Sequence, residues 1–349
     1  MFLRPASCLS AACIAIALIL IADVSAARSH FPDELRSALN RISGYIYDDK
    51  FELARRSIDS LEREFPSDPV VPLFRAILFQ SEMMSEESDR LEPDFYDLLV
   101  RVKSGADSIL ARGGDSALAW YLKGQADALR SLRLGRSGHT WGAIKAGMAA
   151  GKEYSKGYEA DSQFYDIGLG LGSYKYWKSV KGKVLTWAFL LKNEKDDGIA
   201  LLRQAMDSSE ISSDAAATSL IWIYLNEERY PEAIRLTDRM GQKYPNGLTF
   251  DWAMAEIYFE MDDWRTAAAY YTNLLDRLML TPGNGYNIIE ASYYLIKCYK
   301  NLDERDSSWG LKINDIKSGL DTLKIPESTQ KRQQKKLDAI RKIKADISD

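Results

Sequence analysis

Two adjacent stretches of this chain repeat each other at a fixed distance. A fixed period of this length constrains a fold more tightly than composition does, because it implies one structural unit stacked on the next. Residues 214–247 and 248–281 match with each pair 34 apart: Leu220 with Met254, Tyr224 with Tyr258, Tyr230 with Trp264, Ala233 with Ala267 and Leu236 with Tyr270. Each unit reads as two helices. Leu220, Ile221, Tyr224 and Leu225 form a helical stripe, and Glu227-Glu228-Arg229 make a turn. Tyr230 opens a second helix with Pro231 in its first turn, where a missing N–H costs little. Ala233, Ile234, Thr237 and Met240 face one side of it, and Tyr244-Pro245-Asn246 stops it.

The pattern of a bulky residue, a small one, an aromatic, then alanine and proline resembles the tetratricopeptide family. Ile221, Tyr224, Tyr230, Ala233 and Pro245 fill those places in one unit, and Ala255, Tyr258, Trp264 and Ala267 fill them in the next. The alanines let two helices approach closely. Tyr45, Phe51, Ala54, Ile58, Leu61 and Pro66 keep the same spacing near the start. The resemblance covers most of 33–325 and is specific over 214–281. It implies an all-α, right-handed superhelix of stacked helix pairs.

The remaining units are looser. Trp120 and Gly124 read as an opening helix, and Leu169 and Gly170 as another, closed by Gly198, Leu202 and Ala205. Leu295, Ile296 and Tyr299 begin a last unit, delayed by the insert 281–285. Proline is absent between Pro93 and Tyr230, where most of the 22 glycines lie, so glycine ends helices and permits close packing there. Pro326 and Ser328 mark a break and an N-cap. Beyond it Leu337, Ile340, Ile343 and Ile347 predict an amphipathic helix over 328–347, with Lys331, Arg332, Lys335 and Lys336 solvated. A solenoid needs such a terminal cap. The divisions are a signal segment at 1–27, repeats at 28–112, a glycine- and aromatic-rich stretch at 113–212, repeats at 213–325, and the cap at 326–349.

Arg4, an apolar run from Leu9 to Ala22 and the small residues Val24-Ser25-Ala26-Ala27 form a secretory signal pattern. Asp23 closes the run short of the roughly 20 residues that span a bilayer, which favours cleavage over an uncleaved membrane anchor. The apolar run continues past Cys13, so lipidation is rejected. With Cys8 and Cys13 in the signal segment, Cys298 alone remains and no internal disulfide forms. The expected location is the periplasm or outside the cell. A net charge of −4 gives no reason to expect nucleic acid as a partner.

Candidate chemistry is thin. His30 and His139 are the two histidines: His30 is expected to be disordered near the mature N-terminus, and His139 to lie in a loop opening a helix. No cysteine–histidine cluster has metal spacing, and no cofactor is implied. Gly168, Gly170 and Gly172 lack the flanking strands of a phosphate loop and predict close helix packing. The acidic residues of 82–92 read as a solvated loop. The ten aromatics of 141–189 read as core, with a stacking surface for sugar or peptide as the alternative.

In the family resembled, the first helix of each unit lines a concave groove. The resemblance therefore places Thr218, Trp222 and Leu225, then Trp252, Glu256 and Phe259, then Tyr293, Lys297 and Lys300 along that groove. It implies a non-enzymatic scaffold holding a protein or peptide partner in envelope assembly or secretion. The alternatives are that the C-terminal helix covers these residues, or that the partner is cell-wall glycan at the aromatic-rich middle.

Overall fold

The computed structural model describes residues 29–342, apart from Glu87, 182–192, 281–283, 303–306 and 323–326. The signal segment, Trp187, Phe189, Ile343 and Ile347 lie outside the described residues. The chain is an all-α solenoid, with no strand among the described residues and helices packing chiefly against their sequence neighbours. Seven hairpins follow one another: α1 (Asp33–Tyr47) with α2 (Phe51–Glu64), α3 (Val70–Glu86) with α4 (Glu92–Ala111), α5 (Ser116–Arg136) with α6 (Thr140–Ala160), and α7 (Ile167–Lys181) with α8 (Lys195–Ser208). Then come α9 (Ser213–Asn226) with α10 (Tyr230–Lys243), α11 (Leu248–Glu260) with α12 (Trp264–Met279), and α13 (Gly285–Asn301) with α14 (Ser307–Thr322). The last helix, α15 (Glu327–Lys342), caps the array by packing on α13.

Three hairpins share one turn. Asp49, Glu228 and Asp262 are left-handed, with φ of 53°, 56° and 57°. In each, the next N–H reaches back to the tyrosine five residues earlier: Lys50 to Tyr45 O at 2.8 Å, Arg229 to Tyr224 O at 2.8 Å, and Asp263 to Tyr258 O at 3.0 Å. This closes the orphan carbonyls of the first helix and aims the second back along it. The aromatic that follows starts the second helix, and the alanine three places on (Ala54, Ala233, Ala267) is fully buried. The core runs along the array as successive buried clusters rather than as one ball.

In the middle of the array glycine does what the sequence pattern predicted. A Cβ on Gly172 would stand 2.7 Å from Gly198 O, and one on Gly168 would stand 2.7 Å from Leu201 O, so α7 and α8 meet backbone to backbone. Tyr154, Phe164 and Tyr176 are buried core, whereas Trp141 is 70% exposed at the start of α6.

Several expectations need correction. His30 is ordered and buried: its Nδ1 lies 2.7 Å from Asp115, its Nε2 3.4 Å from Asp161, and its ring stacks on Phe164 at 3.8 Å. Burial alone would lower its pKa, but the Asp115 hydrogen bond and the charges of Asp115, Asp161 and Glu210 leave it raised. The acidic stretch 82–92 is not a plain solvated loop. Glu82 is buried on α3 against Arg55, while Asp89 and Glu92 hold Arg133. Lys336 is not left to solvent either; it pairs with Glu290 and lies over the rings of Tyr293 and Tyr294. The last unit is not delayed: α13 begins at Gly285, and Leu295, Ile296 and Tyr299 are buried in its second half.

The coil also meets itself. Ser29 Oγ and the His30 N–H contact Glu210, and Asn40 Nδ2 donates to Glu210 O at 2.8 Å. Asp166, wholly buried, accepts the N–H groups of Glu210 and Ile211 and fixes that loop. At the other end of α1, Asp48 accepts from Asn246 and Asp49 from the Leu248 N–H at 2.9 Å. Tyr47, Tyr244 and Phe250 stack on one another as a cluster of three rings. Gly247 passes so close that a Cβ there would stand 2.0 Å from Tyr47 O. Further along, Asn287 Nδ2 donates to Ser85 O at 2.8 Å. The first two hairpins thus rest on the last three.

Candidate functional site

Closing the coil encloses a cavity of about 670 Å³. Its walls come from the first helix of all seven hairpins, α1, α3, α5, α7, α9, α11 and α13, together with the turns beside them. Of the second helices only α2 reaches it, through Phe51 at its first position.

The 34-residue period orders one wall. Thr218, Trp252 and Tyr286 are equivalent positions on α9, α11 and α13, and so are Trp222, Glu256 and Glu290. All six line the cavity. Each helix contributes two of them four residues apart, one turn along the same face. Tyr47 and Asp49 from the α1–α2 junction and Tyr121 and Gln125 from α5 complete the lining. The space is therefore bounded by rings and edged with polar groups, the composition of a recognition site.

Four of the nine residues expected in the groove, Thr218, Trp222, Trp252 and Glu256, line the cavity. Leu225 and Phe259 lie further along their helices and pack into the array; Phe259 is buried edge-on against Trp264, Tyr271 and Tyr294. Tyr293, Lys297 and Lys300 do not line it either. They sit about two helical turns beyond the true equivalents of Trp252 and Glu256, because a delay was assumed that α13 does not have. Lys297 instead lies over Phe259, Tyr293 and Tyr294, and Lys300 is exposed. Tyr286 and Glu290 were missed, although adding one period to Trp252 and Glu256 finds them. The capping helix docks through Leu337 and Ile340 onto α13; among the described residues none of its side chains lines the cavity that Trp222 and Trp252 line.

Four carboxylates reach the cavity: Asp49, Asp214, Glu256 and Glu290. Asp214 is held by Lys243 at 2.7 Å and by the Tyr244 hydroxyl. Glu290 is held by Lys336 and by Gln333 Nε2 at 2.7 Å. Burial pushes Asp49 up to about 6 despite its bond from the Leu248 N–H. Glu256 differs from these three. No hydrogen bond or ion pair reaches its carboxylate among the described residues. The side chain is open to water inside the cavity yet flanked by protein on most sides, as a concave wall requires. That crowding, then the charges of Glu260 and Glu290, push its pKa up, with Lys336 opposing. Arg136 is the one lysine or arginine among the lining residues.

Among the described residues, no group of three or more histidine, cysteine or carboxylate side chains is placed to hold a metal ion. None of the described helices is long and apolar enough to cross a membrane. No protein-family model matches the chain. No curated protein matches it.

Proposed function

We propose that this chain is a non-enzymatic scaffold of the tetratricopeptide kind, exported to the periplasm or cell exterior, that holds a segment of another protein inside its coil. The observation that carries the reading is the wall made by Trp222, Trp252 and Tyr286 on three successive first helices. Rigid aromatics lining a concave space supply large contact area at low entropic cost, and such residues dominate binding energy at interfaces. A cavity of about 670 Å³ has room for several side chains of an extended segment, a volume also within the range of small-molecule sites. A sugar-stacking surface over 141–189 has less in its favour, since Tyr154, Phe164 and Tyr176 are withdrawn into the core.

The test is capture of partners from envelope extract by the mature chain, side by side with Trp222→Ala and Trp252→Ala. Each variant should keep its helical circular dichroism and lose partner affinity by about 2 kcal/mol, roughly thirtyfold. Equal capture by wild type and both variants would place the site elsewhere.

A further inference from the structure

We infer that the segment taken into the cavity carries a lysine or arginine side chain whose cation is received by Glu256 within the indole wall. This rests on the cavity being the binding site and names the chemistry it selects.

The molecule already contains a worked example one repeat away. Glu290 is the equivalent of Glu256, 34 residues on. Its carboxylate receives Lys336 from the capping helix, and the ammonium also lies 5.5 Å from the Tyr293 ring and 5.2 Å from that of Tyr294. Carboxylate and aromatic faces together make a lysine receptor, each contributing attraction to the same cation. At Glu256 the places of Tyr293 and Tyr294 are taken by Phe259, which is buried, and Glu260, so the aromatic faces must come from the cavity wall instead, and no lysine bonds the carboxylate among the described residues. Trp252 stands one turn before it on α11, Trp222 holds the same repeat position on α9, and both face the same space. No partner reaches the Glu256 carboxylate among the described residues.

Charge points the same way. Of the lining side chains, four are carboxylates and one is a lysine or arginine. Asp214 and Glu290 are each paired with a lysine and Asp49 is held by a backbone N–H, so Glu256 is the lining carboxylate with no hydrogen bond or ion pair among the described residues. Low-dielectric walls focus that potential into the opening. The crowding of protein around it, and then Glu260 and Glu290, make it unfavourable for Glu256 to stay ionised alone. An incoming cation relieves that strain, whereas an acidic segment adds to it. The tryptophans then take the apolar residues flanking the basic one.

The experiment is selection of a phage-displayed library of random linear dodecapeptides on the wild-type chain and on Glu256→Gln. Glu256 is water-accessible and makes no bond among the described residues, so the substitution should leave the fold intact, checked by circular dichroism. Wild-type selection should enrich peptides with a lysine or arginine between apolar residues. Selection on Glu256→Gln should keep the apolar positions and lose the basic one. For the best peptide, replacing its basic residue by norleucine should weaken binding to the wild type about tenfold or more and binding to Glu256→Gln hardly at all. Enrichment without a basic excess, or the same peptides from both proteins, overturns this inference and leaves the cavity reading standing. Enriched peptides that bind Trp222→Ala and Trp252→Ala undiminished, or no enrichment on the wild type, overturn both. Binding of N-acetyl-lysine amide as tightly as the peptide would make the ligand a small amine and overturn the assignment to a segment.

Discussion

At Gly247 a hydrogen stands where a methyl group would lie 2.0 Å from the carbonyl oxygen of Tyr47, a contact that no rotamer can relieve because both partners are backbone. Gly247→Ala should therefore open the junction between the α1 end and the loop before α11. The loss is expected to be about 1–3 kcal/mol, the scale of overpacking, read from urea denaturation. An unmoved midpoint would show that the loop shifts freely and that the close approach is incidental. Ala233 and Ala267 are fully buried three residues into the second helices of their hairpins. Leucine at either position forces the helices apart and should cost about 1–3 kcal/mol. If both leucine variants kept wild-type stability, the alanines would not be the points of closest approach.

At the scale of elements, α15 is held by Leu337 and Ile340 on its apolar face and by Lys336 and Gln333 at Glu290. Removing 327–349 should expose the apolar surface of α13 and leave Glu290 without its cation. The truncated chain is expected to elute as aggregates on size exclusion and to lose thermal stability. A truncated chain that remains monomeric and as stable as the full one would count against docking. Helix identity was legible where periodicity was strong: the two hairpins of 214–280, the opening helices at Trp120 and Leu169, and the cap as far as Lys342 stand where apolar spacing put them. Register in α13 was not legible, because the glycine- and proline-containing sequence 281–285 resembles an insertion, while the helix from Gly285 simply runs longer at its far end. His30 was misread because a terminal position says nothing of partners such as Asp115 and Asp161, which only the closed coil brings to it. Half of the site was legible for the same reason. The period finds residues within one wall, while Tyr47, Asp49 and Tyr121 join the lining only through closure of the coil.

Taken as a whole, the molecule binds protons as it folds. His30 is raised above its usual value by Asp115 and its acidic neighbours, against burial, so its contribution is full below about pH 6.5 and fades as pH rises through the raised value. Burial raises Asp49 to about 6, so the folded state keeps a proton that the unfolded chain releases near pH 4. Both make the free energy of unfolding fall as pH rises through this window. Asp48, Glu194 and Glu227 are lowered in the fold, and their stabilisation disappears only below about pH 4.5. Urea midpoints should thus be higher near pH 5 than near pH 7.5, and His30→Gln with Asp49→Asn should reduce the difference, leaving the part due to Glu153, which burial and then the neighbouring Asp127 raise to about 7. A midpoint that climbs steadily from about pH 5 to pH 7.5 in the wild type would contradict the assignment.

A solenoid whose pairs touch only their neighbours can fray from either end, each pair melting with little regard for those far along the chain. Here Asp48 and Asp49 bond to residues almost 200 positions later, and Ser85 bonds to Asn287. Those bonds join the outermost pairs into a loop of contacts, so the N-terminal hairpin cannot melt without releasing the wall that carries Trp252. Amide protons of α1 and α11 should then exchange in one cooperative unit. The same bonds must wait for most of the array to form, since closing a loop of that length costs entropy that local helix pairing does not. Refolding is accordingly expected to show helix signal first and protection of Leu248 N–H last.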